Sequence, residues 1–155
     1  MTSSDLRSIY RAYLDCLNTQ DWPRLGEFVH EEVSHNDRPF GVSGYRAMLE
    51  NDFLQIPDLR FEAERLVCEP PFIAARLRFD CSPKGSFLGL AVNGRRVSFT
   101  ENVFYEFRAG RIKGVWSVID KAAIEAQMSQ VGSTRGHRTF PEGKEPTGLI
   151  ERERS

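Results

Sequence analysis

A chain of 155 residues is the size of one domain, and a 40% hydrophobic content that includes eleven Phe can fill a core. Its 21 Lys and Arg against 22 Asp and Glu give no basic surplus for nucleic acid or an anionic membrane. Cys16, Cys68 and Cys81 form no CxxC and no disulfide framework, Met1 to Asp5 has no signal-peptide character, and no apolar run approaches the ~20 residues of a membrane span, so a reduced, cytoplasmic protein is expected.

Ser4 or Asp5 can cap a first helix, whose Leu6, Ile9, Tyr10, Tyr13, Leu14 and Leu17 form a stripe of helical period. Asn18 to Asp21 break it, and Asp21-Trp22-Pro23 opens a short second helix with proline in its first turn. Val33-Ser34-His35 reads as a short extended piece and Asn36 to Pro39 as a loop. Gly41-Val42-Ser43-Gly44 leads into a third helix, from Tyr45 to about Leu54, stopped by Ile56-Pro57.

Strand patterns begin at Leu59. From Phe72 to Cys81 apolar Ile73, Ala75, Leu77 and Phe79 alternate with Ala74, Arg76, Arg78 and Asp80. Turn residues around Pro83-Lys84-Gly85 and Val92-Asn93-Gly94 bracket Phe87 to Leu90. Arg96 to Phe107 is a long strand, Ala109-Gly110 a tight hairpin turn, Ile112 to Asp120 the last strand, and Lys121 to about Met128 the last helix. The domain therefore covers residues 1–131, and residues 132–155 form a polar tail expected to be extended or disordered.

Three helices followed by long strands predict an α+β fold. A long twisted sheet curls, and helices closing its concave side leave a cone-shaped pocket suited to a small molecule. Asp120 ends an apolar strand and begins a helix. It is a candidate N-cap, or, on a strand face shared with Trp116 and Val118 that lines the pocket, a candidate general acid or base.

The order of these elements resembles the NTF2-like fold, and the motifs resemble the SnoaL-like polyketide cyclases within it, over roughly residues 5–130. The carriers are Leu17-Asn18-Thr19-Gln20-Asp21-Trp22, His35, Gly41-Val42-Ser43-Gly44, Ala74-Ala75-Arg76, Gly85-Ser86-Phe87-Leu88-Gly89, Asn93 to Phe99, Phe107 to Ile112, and Trp116-Ser117-Val118-Ile119-Asp120 with Gln127 behind it. The resemblance implies that Asp120 is the acid/base. It also implies a polyketide-derived aromatic or polycyclic substrate, and cyclisation or isomerisation without a cofactor. The family tends to carry histidines where this chain has Pro83-Lys84 and Ser117, and these departures leave the choice of reaction open.

Two partners for Asp120 present themselves. His35 is either a rim histidine or a proton shuttle, and its spacing from neighbouring carboxylates matches no zinc pattern, so no metal is expected. Glu101 shares parity with Val103, Tyr105 and Phe107 and is either exposed or inside the pocket. Tyr13, Phe40, Phe53, Phe87, Val103 and Trp116 are the candidate substrate contacts. An Asp–Arg–Asp hydrolase site needs Arg76 or Arg78 to point inward.

The other readings are an epoxide, ester or lactone hydrolase and a non-catalytic binding module. A carboxylate buried in an open pocket favours an enzyme; a pocket filled by its own aromatics favours the module. The large apolar open face of the sheet predicts a homodimer.

Overall fold

The computed structural model describes residues 1–131, and the predicted tail at 132–155 lies outside the described residues. Helix α1 (Ser3–Asn18) buries Leu6, Tyr10, Tyr13, Leu14, Cys16 and Leu17, so the helical stripe is its inner face. Its cap is Thr2, not Ser4 or Asp5. The Asp5 N–H donates to the Thr2 hydroxyl and the Thr2 N–H donates to the Asp5 carboxylate, a reciprocal capping box. The predicted second helix is a single 3-10 segment (Trp22–Glu27) with proline in its first turn.

Strand β1 (Val29–His35) is longer than expected and turns at Asn36 and Asp37, both at positive φ, into the two-residue β2 (Arg38–Pro39). Helix α2 (Gly41–Gln55) follows, and Ile56 ends it before Pro57. Strand β3 (Ala63–Glu69) starts four residues later than the apolar pattern suggests, because Leu59 and Phe61 bury their side chains from a loop. Strand β4 (Phe72–Cys81), the small hairpin of β5 (Ser86–Phe87) and β6 (Leu90–Ala91), the long β7 (Val97–Arg108), β8 (Arg111–Ile119) and α3 (Lys121–Val131) complete the domain. Ala109 and Gly110, at φ 52° and 77°, form the tight turn between β7 and β8.

Six strands form one sheet in the order β2-β1-β8-β7-β4-β3. All pairs are antiparallel except β1 with β8. This is the expected α+β, NTF2-like architecture, a curved and mostly antiparallel sheet wrapped over the N-terminal helices. One face of the sheet, with Ile73, Leu77 and Phe79 of β4, Phe99, Val103 and Tyr105 of β7, and Val115 and Ile119 of β8, joins α1 and α2 in a single core. Helix α3 is tied to β7 by Gln127, whose carboxamide accepts from the Ser98 N–H at 2.8 Å and donates to the Ser98 carbonyl. Among the described residues, no helix is long and apolar enough to cross a membrane.

Candidate active site

The pairing register decides which side chains face the interior. On β7, alternation buries Val97, Phe99, Glu101, Val103, Tyr105 and Phe107, and so carries Glu101 inward with its apolar neighbours. On β8, a register irregularity opposite Glu106 and Phe107 resets the alternation. Beyond it Val115, Ser117 and Ile119 point inward, while Val118 is 57% exposed.

The face shared by Trp116, Val118 and Asp120 is therefore the outer one, which corrects the expectation that it lines the pocket. Trp116 lies across the outside of the sheet, its indole N–H donating to Asp37 Oδ1 at 3.0 Å. A Cβ placed on Gly114 would stand 2.6 Å from the far edge of that ring, so glycine makes room for it. Asp120 is exposed, and its Oδ1 accepts the Ala123 N–H at 3.1 Å, which caps α3. Its carboxylate lies outside the pocket.

Glu101 is the carboxylate at the cavity wall, 4% exposed. It lines a cavity walled by Ile56, Leu59, Phe61, Phe79, Phe87, Phe99 and Ile119. The rings pack on one another, Phe61 to Phe79 at 5.5 Å, Phe79 to Phe99 at 5.2 Å and Phe87 to Phe99 at 5.6 Å. They leave about 10 Å³ at the centre, room for one water. The site thus combines both marks weighed above, a buried carboxylate and a pocket largely filled by its own aromatics. A polycyclic ligand fits only when a wall moves. Phe87 is the half-buried member, carried by the β5–β6 hairpin with Gly85, Leu88 and Gly89 at positive φ.

His35 is 2% exposed, so it is an interior residue and not a rim histidine. It stands opposite Val115 on β8, and its Nε2 lies 3.5 Å from the buried Ser117 hydroxyl. Ser117 stands opposite Val103, and Glu101 opposite Ile119. Glu101 and Ser117 are therefore diagonal neighbours on the inner face, about 7–8 Å apart. The structure brings Glu101, Ser117 and His35 to one side of the sheet and leaves Asp120 on the other.

Of the predicted substrate contacts, Phe87 lines the cavity. Val103 is buried on the same inner face. Tyr13 is buried with its hydroxyl 2.8 Å from that of Tyr45. Phe53 is a core residue packed on Trp22 and on the wall residue Phe61. Phe40 sits beside His35, ring centroids 6.2 Å apart, with the Arg38 guanidinium 5.6 Å over the Phe40 ring. Arg76 and Arg78 point outward to Glu64, so the Asp–Arg–Asp hydrolase arrangement is not formed. Sequence reading passed over Tyr45 and the buried Asp52. Both lie on the inner stripe of α2 with Met48, Leu49 and Phe53, a spacing that could have flagged them. Among the described residues, no three His, Cys, Asp or Glu side chains converge on a metal position.

Comparison with known proteins agrees with this geometry at the level of family. The profile of the SnoaL-like polyketide cyclases matches residues 7–128. A SnoaL-like polyketide cyclase from Agrobacterium tumefaciens is 58% identical, with a TM-score of 0.80 over 83% of this chain and 99% of that one. Two more distant structures share the fold. TsrD from Streptomyces laurentii is 23% identical, with a TM-score of 0.71 over 83% of this chain and 97% of its own. IdmH from Streptomyces antibioticus, provisionally called a polyketide cyclase, is 18% identical, with a TM-score of 0.69 over 80% and 98%. Among curated proteins, none matches the chain in sequence. With a profile match across nearly all the described residues and a relative of high identity, the chain belongs to the SnoaL-like polyketide cyclase family.

Proposed function

We propose that the protein is a cofactor-independent proton-transfer enzyme acting on a polyketide-derived aromatic or polycyclic compound, with Glu101 as general base. The observation that carries this reading is the position of Glu101, a carboxylate buried among Phe61, Phe79, Phe87 and Phe99 at the wall of the cavity. Asp120, given that role by family resemblance, is a solvent-exposed helix cap.

The chemistry follows from the setting. A flat conjugated substrate displaces Phe87 and stacks among the remaining rings. Glu101 takes the proton from a carbon flanked by carbonyls, and the C–H electron pair spreads into the carbonyls as an enolate. In cyclisation the enolate carbon bonds to a second carbonyl carbon of the same molecule. The alkoxide so formed takes that proton back from protonated Glu101, which restores the base. In isomerisation the proton returns to a different carbon. The Ser117 hydroxyl beside His35 is a donor for the oxygen that gains charge. We assign the exposed outer face of the sheet to a homodimer contact.

The test is exchange of α-hydrogens for deuterium in ethyl 2-naphthoylacetate, a naphthyl β-ketoester, followed by proton NMR. Wild-type protein accelerates exchange, Glu101→Gln lowers the acceleration by about 10²–10⁴, and Asp120→Asn preserves it. Full activity in Glu101→Gln, or its loss in Asp120→Asn with the fold intact, overturns the assignment.

A further inference from the structure

Four tyrosines from three elements meet in the interior near Glu101. Tyr10 and Tyr13 come from α1, Tyr45 from α2 and Tyr105 from β7, and each is 3% exposed or less. Their hydroxyls are arranged in two pairs. Tyr10 donates to Tyr105 at 3.1 Å, and the Tyr13 and Tyr45 oxygens lie 2.8 Å apart. The rings pack tilted and edge-on along the inner face of β7, Tyr10 to Tyr105 at 4.9 Å and Tyr13 to Tyr105 at 6.1 Å.

A pair of hydroxyls carries two protons, and only one can lie between the two oxygens. The second must go to another acceptor, because a buried O–H left without one is costly. Glu101 offers carboxyl oxygens as acceptors in the same interior, carried inward on β7 four residues before Tyr105. Burial raises the Tyr13 phenol, and the neighbouring Tyr45 and the Glu101 carboxylate raise it further. Tyr10 is raised for the same first reason, with Glu101 again contributing. Glu101 shares the inner face of β7 with Tyr105, the ring against which Tyr10 and Tyr13 of α1 both pack. Phenols held in their neutral form are donors and cannot compete with Glu101 as bases.

We infer that the Tyr13–Tyr45 hydroxyl pair is a positioning device for Glu101, its spare proton holding the carboxylate in the orientation that faces the aromatic cavity. The catalytic consequence rests on the proposal that Glu101 is the base; the contact itself does not. Two helices that share no hydrogen-bonded ladder would then be registered against β7 by one polar contact. That contact would also fix which lone pair of the carboxylate meets the substrate.

The contact is read by the infrared carboxyl band of Glu101, assigned as the difference between wild-type protein and Glu101→Gln. Removing the hydroxyl in Tyr13→Phe or Tyr45→Phe is expected to shift this band. It is also expected to slow α-hydrogen exchange of ethyl 2-naphthoylacetate roughly tenfold or more in kcat, with little change in KM. A band unmoved in both variants overturns the inference. Should both variants fail to fold, protein labelled with 3-fluorotyrosine serves instead. Its more acidic hydroxyls donate more strongly, so the same band must move, and an unmoved band again overturns the inference. Should Glu101→Gln retain full exchange activity, the base assignment fails, while the band still decides whether the tyrosines hold Glu101.

Discussion

Glu101 lies within β7 and Asp120 just past the end of its partner β8, and they look out on opposite sides of one sheet. Glu101 pairs with Ile119, the residue before Asp120, so the separation of the two carboxylates is a matter of parity. Each has a distinct use for its charge. Asp120 accepts a backbone N–H at the start of α3, and Asp120→Ala is expected to lower stability by about 0.5–2 kcal/mol in chemical denaturation while exchange activity persists. Glu101→Gln is expected to do the reverse, keeping the fold and losing the rate. A variant pair that lost stability and activity together would show that the two carboxylates are not functionally separate. The sequence showed that Glu101 shares a face with Val103, Tyr105 and Phe107 but left open whether that face is exposed or inside. The parity of Asp120 was equally undecided, because Trp116 and Val118 are as apolar as Val115 and Ile119.

At the scale of elements, the last strand is set by a glycine and a tryptophan. Gly114 leaves the outer surface of β8 bare, the Trp116 ring covers it, and Asp37 in the β1–β2 turn holds the indole N–H. Asn36 of the same turn accepts the Ser117 N–H at 2.9 Å and donates its own N–H to the Val115 carbonyl at 2.8 Å, so the turn extends the ladder by side chain as well as backbone. These contacts set the direction of Ser117. Gly114→Ala puts a methyl group into the tryptophan ring, and because Asp37 pins that ring it cannot simply swing aside. A loss of about 1–3 kcal/mol is expected, read as a lower Tm. An unchanged Tm would mean that the ring moves freely. The parallel pairing of β1 with β8 was not legible in the sequence. Those strands, Val29–His35 and Arg111–Ile119, lie far apart in the chain, and only tertiary packing brings them together.

At the scale of the molecule, the outer face of the sheet carries Val67, Phe72, Phe104 and Val118, exposed by 46–60%, with Trp116 and Ala74 among them. Arg76 and Arg78 border this apolar patch and are paired with Glu64. A patch of this kind, rimmed by charge, is the signature of an association surface. If two copies meet through it, Phe104→Lys or Val118→Lys is expected to convert dimer to monomer in sedimentation velocity, leaving the inner-face chemistry untouched. A wild-type protein that sediments as a monomer at high concentration would remove the dimer from consideration.

The sequence alone determined the order of the α-helices and the long strands, because helical stripes, strict alternation and turn residues are local signals read within one segment; the short β2, β5 and β6 and the 3-10 form of Trp22–Glu27 came only with the structure. It also pointed to the family, since the motifs lie in the family's order along the chain. Tertiary structure decided which carboxylate faces the pocket. That depended on a register irregularity in β8 and on a glycine–tryptophan contact across the outer face, and neither is a property of the strand in isolation. It decided equally that Tyr13 meets Tyr45 and that His35 meets Ser117. Such pairs join residues 32 and 82 positions apart, and only the packed fold brings them within reach.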